Sequence, residues 1–266
     1  MAHKTLIGGT AYEISNGKTL IDGTSYEVSA GNTLVGGTAH QIVFSKYRSI
    51  FAQNSWEAII QACRNNEVPD TWKIGDQKTM TIGGLDYTID IIGKNHDNYY
   101  DGSGKAPLTF QLHNLFKDSC RMNISLTNVG GWENSEMRRT YLPSILQQMP
   151  TDVKNAIKLV NKQSSAGNSS SNIVTTSDSL FLPSEVEVFA KNDYSYSGEG
   201  SQYAYYSEGN SPKKVYYNSG TSEKRHWWTR SAKKSSPSAF VMVAMAGIVS
   251  ISSANKSHGV APCFCF

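Results

Sequence analysis

Residues 4–15 read KTLIGGTAYEIS, residues 18–29 read KTLIDGTSYEVS and residues 32–43 read NTLVGGTAHQIV. The three stretches align without gaps and start at positions 4, 18 and 32, so the repeat length is 14 residues. In each copy, two short runs with β-forming residues flank Gly-Gly or Asp-Gly, which supply the positive φ angles of a tight hairpin turn. The pattern therefore predicts three tandem β-hairpins in residues 1–43.

Three hairpins make a module that is too small to bury a sizeable core of its own. Modules below ~40 residues usually need partners. We therefore expect residues 1–43 to pack against the same residues of other chains, as a β-prism-like homotrimer. The alternatives are a flexible string of hairpins and a small sheet on the following domain. Residues 44–54 are expected to be a connector, and residues 55–266 a second domain.

The second domain mixes helical and strand patterns, so the expected fold class is α+β. Ser55 precedes Trp56–Cys63, whose apolar residues have helical spacing. Residues 78–92 alternate apolar and polar side chains around Gly83-Gly84, which predicts a further hairpin. Residues 163–172, QSSAGNSSSN, are low in complexity and are expected to be mobile.

Composition excludes several classes of protein. The formal net charge of +3 does not favour nucleic acid or an anionic membrane as a partner. The sequence contains no stretch of ~20 apolar residues, which a membrane-spanning helix would need. The start MAHKTLIGGT lacks the apolar core of a secretion signal. We therefore expect synthesis in the cytoplasm. Cys263 and Cys265 are expected to be buried thiols on one face of a strand.

The sequence contains no established catalytic motif, so we expect neither enzyme activity nor a cofactor. It lacks a zinc-protease HExxH, a phosphate-binding loop and a Gly-x-Ser-x-Gly nucleophile turn. Residues 96–102 offer oxygen ligands near a Gly turn, with Asp97 and Asp101 as the candidates for a calcium site. Tyr99 stands at a ligand position and Leu108 replaces the closing Glu, which argues against calcium.

Four motifs occur in order along residues 77–266: GGWENSEMR at 130–138, LFLPSEVEVF at 180–189, WWTRS at 227–231 and GVAPCFC at 259–265. Together they resemble a domain family of prophages and gut bacteria that is related to the formylglycine-generating enzymes. The resemblance implies a C-type-lectin-like fold. The N-terminal repeats resemble hairpin repeats of phage tail and baseplate proteins.

The combination also looks like the variable proteins of diversity-generating retroelements, which carry a hypervariable segment on the exposed face of a lectin-like domain. The resemblance implies a variable window at about 228–258. The implied ligand-binding residues are Trp228, Ala232, Lys233, Lys234, Ser236, Met242, Ala244, Met245, Ile248, Ser250, Ser252, Lys256 and His258. If the apolar members are exposed, they form a contact patch. The alternative is that residues 240–251 form a buried β-strand.

A second contact region is expected in residues 194–217, within a long Tyr-rich segment without periodicity. Loops of this length inside a compact domain are usually binding loops or disordered, and tyrosine favours binding. Its candidate contacts are Tyr203, Tyr205 and Tyr206.

The resemblance implies a receptor-binding protein at a phage tail tip, which acts outside the cell as part of the virion. Its partners would be a host cell-surface protein or glycan, two further copies of the chain, and other tail proteins at the N-terminus. Two alternatives remain: an enzyme of the formylglycine-generating or carbohydrate-active type, and a purely structural tail or baseplate component. The Glu-Pro-Asn and Trp-Asn-Asp motifs of calcium-dependent lectins are absent, and the copper-binding Cys pair of the enzymes has no match in Cys263 and Cys265.

Overall fold

The structure is a computed structural model. It describes the backbone of residues 3–7, 10–14, 18–21, 24–27, 30–35, 38–43, 47–215 and 223–266, and side chains from residue 47 onward within these ranges. The chain divides into two compact units, Met1–Ser49 and Ile50–Phe266.

Within its described residues, the N-terminal unit contains three two-stranded antiparallel sheets, one for each repeat. The strands are β1 (His3–Ile7), β2 (Thr10–Ile14), β3 (Lys18–Ile21), β4 (Thr24–Glu27), β5 (Ala30–Val35) and β6 (Thr38–Val43). Within each repeat the first strand pairs with the second, as the sequence predicts. The predicted turn residues Gly8-Gly9, Asp22-Gly23 and Gly36-Gly37 lie outside the described residues, as do residues 44–46 of the predicted connector.

The C-terminal unit mixes short helices with antiparallel strands. Its helices are α1 (Trp56–Arg64), α2 (Gly131–Asn134), α3 (Leu142–Leu146), α4 (Thr151–Ala156), α5 (Glu185–Phe189) and α6 (Ala204–Ser207), with a 3-10 turn at Phe51–Gln53 and a π-helical turn at Met137–Tyr141. Its strands are β7 (Gln77–Ile82), β8 (Leu85–Lys94), β9 (Leu108–Leu112), β10 (Val160–Ser165), β11 (Ile173–Asp178), β12 (Lys214–Val215), β13 (Lys224–Arg225), β14 (Trp227–Ala232), β15 (Ala239–Val243), β16 (Val249–Ser253) and β17 (Cys263–Cys265).

Two larger sheets organise this unit. One has the strand order β17-β9-β8-β7 and the other β14-β15-β16, while β10-β11 and β12-β13 form separate pairs. All these strand pairs are antiparallel. The predicted α+β class is therefore confirmed.

Local sequence signals account for the start of this unit. Ser55 caps α1, because its side chain accepts a hydrogen bond from the N–H of Ala58. The β7-β8 turn uses Gly83 and Gly84 at φ 58° and 80°, a conformation that other residues adopt at a cost. Both elements agree with the sequence prediction.

An aromatic core joins the two ends of the C-terminal unit. Phe110 of β9 stacks on Phe264, with 5.2 Å between ring centroids, and packs against Phe266 and Phe51. Phe51 belongs to the segment predicted as a connector, yet its side chain is buried in this core. On the opposite face of β17, Cys263 and Cys265 are buried free thiols, as predicted.

The segment expected to be mobile, residues 163–172, begins in a strand: residues 163–165 belong to β10, and residues 166–172 connect it to β11. Here β10 and β11 form a six-pair antiparallel ladder from Val160↔Asp178 to Ser165↔Ile173. Ser164 and Ser165 are buried despite their polarity, because other parts of the fold cover them. Separately, none of the described helices combines the length and apolar character needed to cross a bilayer.

Candidate functional site

Arg230 anchors the centre of the C-terminal unit from β14. Its guanidinium is fully buried and donates to both carboxylate oxygens of Glu187, with 2.9 Å between Nη2 and Oε1. It also donates to three backbone carbonyls, those of Gln163, Leu182 and Glu199. Each of its three nitrogens therefore has an acceptor, and one side chain links four segments of the chain.

The Glu187 carboxylate is held in position to bind Arg230 by a capping box at the start of α5. The Ser184 side chain accepts from the Glu187 N–H at 3.0 Å, and the Glu187 carboxylate accepts from the Ser184 N–H at 3.0 Å. Burial opposes the charge of Glu187, but Arg230 and Lys162 outweigh burial and lower its pKa. The carboxylate is therefore ionised inside the protein.

Lys162 of β10 extends the same buried ion-pair network through Glu187 to Asp97. Its ammonium donates to Asp97 at 2.6 Å, to Glu187 at 2.7 Å and to the Tyr203 hydroxyl at 3.1 Å. Burial opposes the charge of Lys162, but the two carboxylates raise its pKa. Burial likewise raises the pKa of Asp97, but the charge of Lys162 and hydrogen bonds from Lys162 and Thr109 lower it to about 2. We call Asp97, Lys162, Glu187, Tyr203 and Arg230 the buried charge cluster.

Two carboxylates of the cluster and the neighbouring His96 form a geometry that resembles a metal site. Ligand atoms of His96, Asp97 and Glu187 lie within 4.8 Å of one another. The Lys162 ammonium, however, bonds to both carboxylates and supplies the positive charge between them. Asp101, the other predicted calcium ligand, is exposed, and it accepts from the Ser103 N–H. The structure therefore does not bring Asp97 and Asp101 together.

A further buried carboxylate ties β14 to β10. Glu199 accepts from the Ser165 N–H at 2.8 Å and from the Ser231 hydroxyl. Burial raises the pKa of Glu199 to about 7. Since these groups and the buried charge cluster are closed to solvent, their role in this fold is to hold segments together.

Four residues of the predicted variable window are buried, and the expectation of exposure is wrong for them. Trp228, Ala232, Met242 and Ala244 are each at most 8% exposed. The physical reason is that β14 and β15 are covered on both faces. Side chains that point to either face of these strands are therefore buried. The Trp228 indole donates to the Cys120 carbonyl at 2.8 Å, as expected of a core tryptophan.

The remaining window residues lie at the surface in whole or in part. Met245 and Ile248, in the turn between β15 and β16, are 47% and 62% exposed. Lys256 is also exposed. The half-buried members are Lys233, Lys234 and Ser236 in the turn after β14, Ser250 and Ser252 on β16, and His258. Burial and the neighbouring His226 lower the pKa of His258 to about 4, so this imidazole is neutral at pH 7.

The three predicted tyrosine contacts are core residues, which corrects the expected binding loop. Tyr203 donates to Asp97, and Tyr206 donates to Gln111 at 2.6 Å. Tyr205 is 7% exposed and packs edge-on against Tyr206. Residues 204–207 form α6, so the aperiodic Tyr-rich sequence fills the interior here.

Strand β16 is an open sheet edge. The Ala244 N–H donates to the Ile248 carbonyl, and the Ala254 N–H donates to the Ser238 carbonyl, at the two ends of its ladder with β15. Antiparallel pairs alternate between bonded and non-bonded, so the backbone groups of Val249 and Ile251 point away from β15. Among the described residues they have no hydrogen-bond partner on that side.

A second exposed apolar segment lies beside the C-terminal end of β16, and it falls outside the window predicted from the sequence. Ile124, Leu126 and Val129 are at least 56% exposed. The N–H groups of Met122 and Asn123 both donate to the Ala254 carbonyl at 3.0 Å, which fixes the segment next to β16. We call residues 124–129, 233–236 and 245–258 the C-terminal rim.

Sequence signals existed for part of the cluster. Ser184 and Glu187 have the Ser-x-x-Glu spacing of a capping box, and Arg230 lies in the WWTRS motif. Nothing in the sequence pattern pointed to Lys162.

Comparison with known proteins gives one family. The family described as a domain of unknown function, DUF6273, matches residues 109–266, from β9 to the last residue. This range contains Lys162, Glu187, Tyr203 and Arg230 together with the C-terminal rim. The comparisons with curated proteins and with solved structures gave no match. Since the match covers more than half of the 266 residues, the chain belongs to the DUF6273 family.

Proposed function

We propose that this chain is a non-enzymatic binding protein that contacts its ligand through the C-terminal rim. The observation that carries the proposal is the pair Met245 and Ile248, large apolar side chains held exposed at one end of an open sheet edge. Exposed apolar groups that cluster are typical of contact sites. The sheet beneath them is buried and tied down by Arg230, so binding would cost little ordering entropy.

The more specific proposal is a receptor-binding protein at a phage tail tip. Its support is the ordered set of motifs, which resembles variable proteins of diversity-generating retroelements with a C-type-lectin-like fold. Under this proposal the virion displays the chain outside the cell, and the rim binds a host cell-surface protein or glycan. Apolar side chains in the rim favour a protein ligand. Diversification within 228–258 would be confined to the exposed and half-exposed positions.

The rim proposal predicts that binding and stability respond to different residues. In the double variant Met245→Ser/Ile248→Ser, we expect at least about tenfold weaker binding, because burial of each side chain contributes roughly 1.5–3 kcal/mol. Its free energy of unfolding should stay within about 0.5 kcal/mol of the parent. Binding of the labelled full chain to a panel of gut-bacterial cells, measured by flow cytometry, provides the readout.

Met242→Ser is the matched control, since Met242 is buried in the same sheet. It should lower the free energy of unfolding by roughly 2–5 kcal/mol, as emptied core positions do. Binding that survives the double variant, or a parent chain that binds none of the panel, contradicts the rim proposal. The result would then favour a structural tail component.

We also propose that residues 1–43 assemble the chain into a homotrimer with β-prism-like packing, and attach it to other tail proteins. Three linked rims would gain avidity if their spacing matches the target. Light scattering should give three times the chain mass for residues 1–266 and a single chain mass for residues 44–266. The same number of chains per particle for both forms, whether one or three, would refute assembly through the repeats.

A further inference from the structure

A groove of about 880 Å³ lies between the end of α1, the 95–107 loop and residues 156–159. Its volume is within the range of small-molecule sites in proteins. The side chains that matter are Arg64, Asn66, Asn95, Tyr100, Lys105 and Lys158, and we call this the Tyr100 groove. It shares no residue with the C-terminal rim.

The groove has an excess of unpaired positive charge. Arg64, Lys105 and Lys158 are exposed, and their charged groups make no ion pair or hydrogen bond with the residues that the structure describes. One acidic side chain, Asp101, lines the groove with them. Three cationic side chains against one acidic side chain favour a ligand that carries negative charge.

The groove also offers an aromatic face and free amide groups. The Tyr100 side chain is 60% exposed, and its ring makes no ring contact or hydrogen bond among the described residues. The side-chain amides of Asn66 and Asn95 are likewise without a hydrogen-bond partner there. Both asparagines adopt left-handed φ angles, 54° and 49°. Asparagine adopts this conformation readily, and at Asn66 it ends helix α1, with the Glu67 N–H donating to the Ala62 carbonyl.

The backbone of the groove argues against a phosphate ligand. Phosphate sites are usually built from several free N–H groups that converge on the anion. Here the N–H groups of Asn95, Tyr99, Tyr100, Gly102 and Ser103 all donate to acceptors within the protein. Negative charge would therefore be recognised by long cationic side chains, which suits separated carboxylates.

We propose that the Tyr100 groove binds an oligosaccharide that carries carboxylate groups. The apolar face of a pyranose ring packs on Tyr100, sugar hydroxyls exchange hydrogen bonds with the Asn66 and Asn95 amides, and the carboxylates pair with Lys105, Lys158 and Arg64. The amides can both donate to and accept from hydroxyls, whereas the cations only donate. This site is independent of the proposed rim function.

Calorimetric titration of the full chain tests the proposal, with hexagalacturonate and α2,8-linked trisialic acid as acidic probes, and maltohexaose and tripolyphosphate as controls. We expect at least one acidic sugar to bind and both controls to bind at least tenfold more weakly. Lys105→Gln/Lys158→Gln and Tyr100→Ala should each weaken binding by about tenfold, as expected when charge-assisted bonds or ring contacts are lost. Lys191→Gln, which alters an exposed lysine elsewhere, should leave affinity unchanged.

Failure of both acidic sugars to bind overturns the proposal. It is also overturned if maltohexaose or tripolyphosphate binds equally well, or if the groove variants bind like the parent. Each variant is first compared with the parent by thermal unfolding, so that a folding defect is not counted as lost binding. Met245→Ser/Ile248→Ser should keep its sugar affinity, so the groove and the rim can fail separately.

Discussion

Arg230→Met is expected to lower the free energy of unfolding of the C-terminal unit by about 3–5 kcal/mol, as typically follows when one partner of a buried ion pair is removed. The change would leave the Glu187 carboxylate buried beside a methyl group and would strip a donor from the carbonyls of Leu182 and Glu199. Urea unfolding followed by tryptophan fluorescence measures the loss. Four tryptophans are fully buried and become exposed on unfolding: Trp72, Trp132, Trp227 and Trp228.

Arg225→Met is the matched control. Arg225 pairs with Glu223 at 2.7 Å, but both side chains are about half exposed, so its loss should change the free energy of unfolding by about 1 kcal/mol or less. The loss of stability in Arg230→Lys should fall between those of the two methionine variants. A lysine ammonium cannot reproduce the hydrogen bonds that the planar guanidinium makes to a carboxylate and to neighbouring carbonyls at the same time. Equal stability of the Arg230→Met and Arg225→Met variants would show that the buried pair contributes nothing.

Lys162→Met should cost a similar amount at neutral pH, about 3–5 kcal/mol, and its cost should depend on pH. Without the ammonium, Asp97 and Glu187 face each other inside the protein, and we expect a raised pKa for the pair. The folded variant then holds a proton that the unfolded chain releases above pH ~4. Its stability relative to the parent should therefore fall as pH rises from 5 to 8.

Thermal unfolding of parent and variant at pH 5 and pH 8 measures this difference. The double variant Lys162→Met/Asp97→Asn removes one carboxylate charge and should recover part of the loss at pH 8. A stability deficit that is the same at both pH values would mean that Lys162 acts through packing alone. In that case the ion-pair account of the cluster is incorrect.

The sequence correctly predicted those helices and hairpins whose signals lie in neighbouring residues. Helix α1 begins at a capping serine, and the β7-β8 hairpin turns at Gly83-Gly84, so each signal lies within a few residues of the structure it produces. The three N-terminal strand pairs belong to the same class. The family resemblance, by contrast, supplied expectations about the lectin-like fold that remain proposals.

The buried charge cluster could not be predicted from the sequence, because the residues that pair in it are far apart along the chain. Lys162 and Asp97 are separated by 65 residues, and Arg230 and Glu187 by 43. Lys162 directly precedes a Ser/Asn-rich stretch, residues 163–172, whose composition predicts mobility, yet the first three residues of that stretch belong to strand β10. The same reason explains Tyr203, whose polar neighbours suggested a surface loop although Asp97 binds its hydroxyl in the interior.

The spatial split between the cluster and the rim has a consequence for molecular evolution. Substitutions at sites that share no partners usually have additive effects on stability, and Ile248 and Lys256 have no described contact with the cluster. Epistasis between the two regions should therefore be weak, so that neutral drift at the rim proceeds without compensating changes at Arg230 or Lys162. The same property suits the rim to randomised libraries, in which many side-chain combinations are screened on one unchanged backbone.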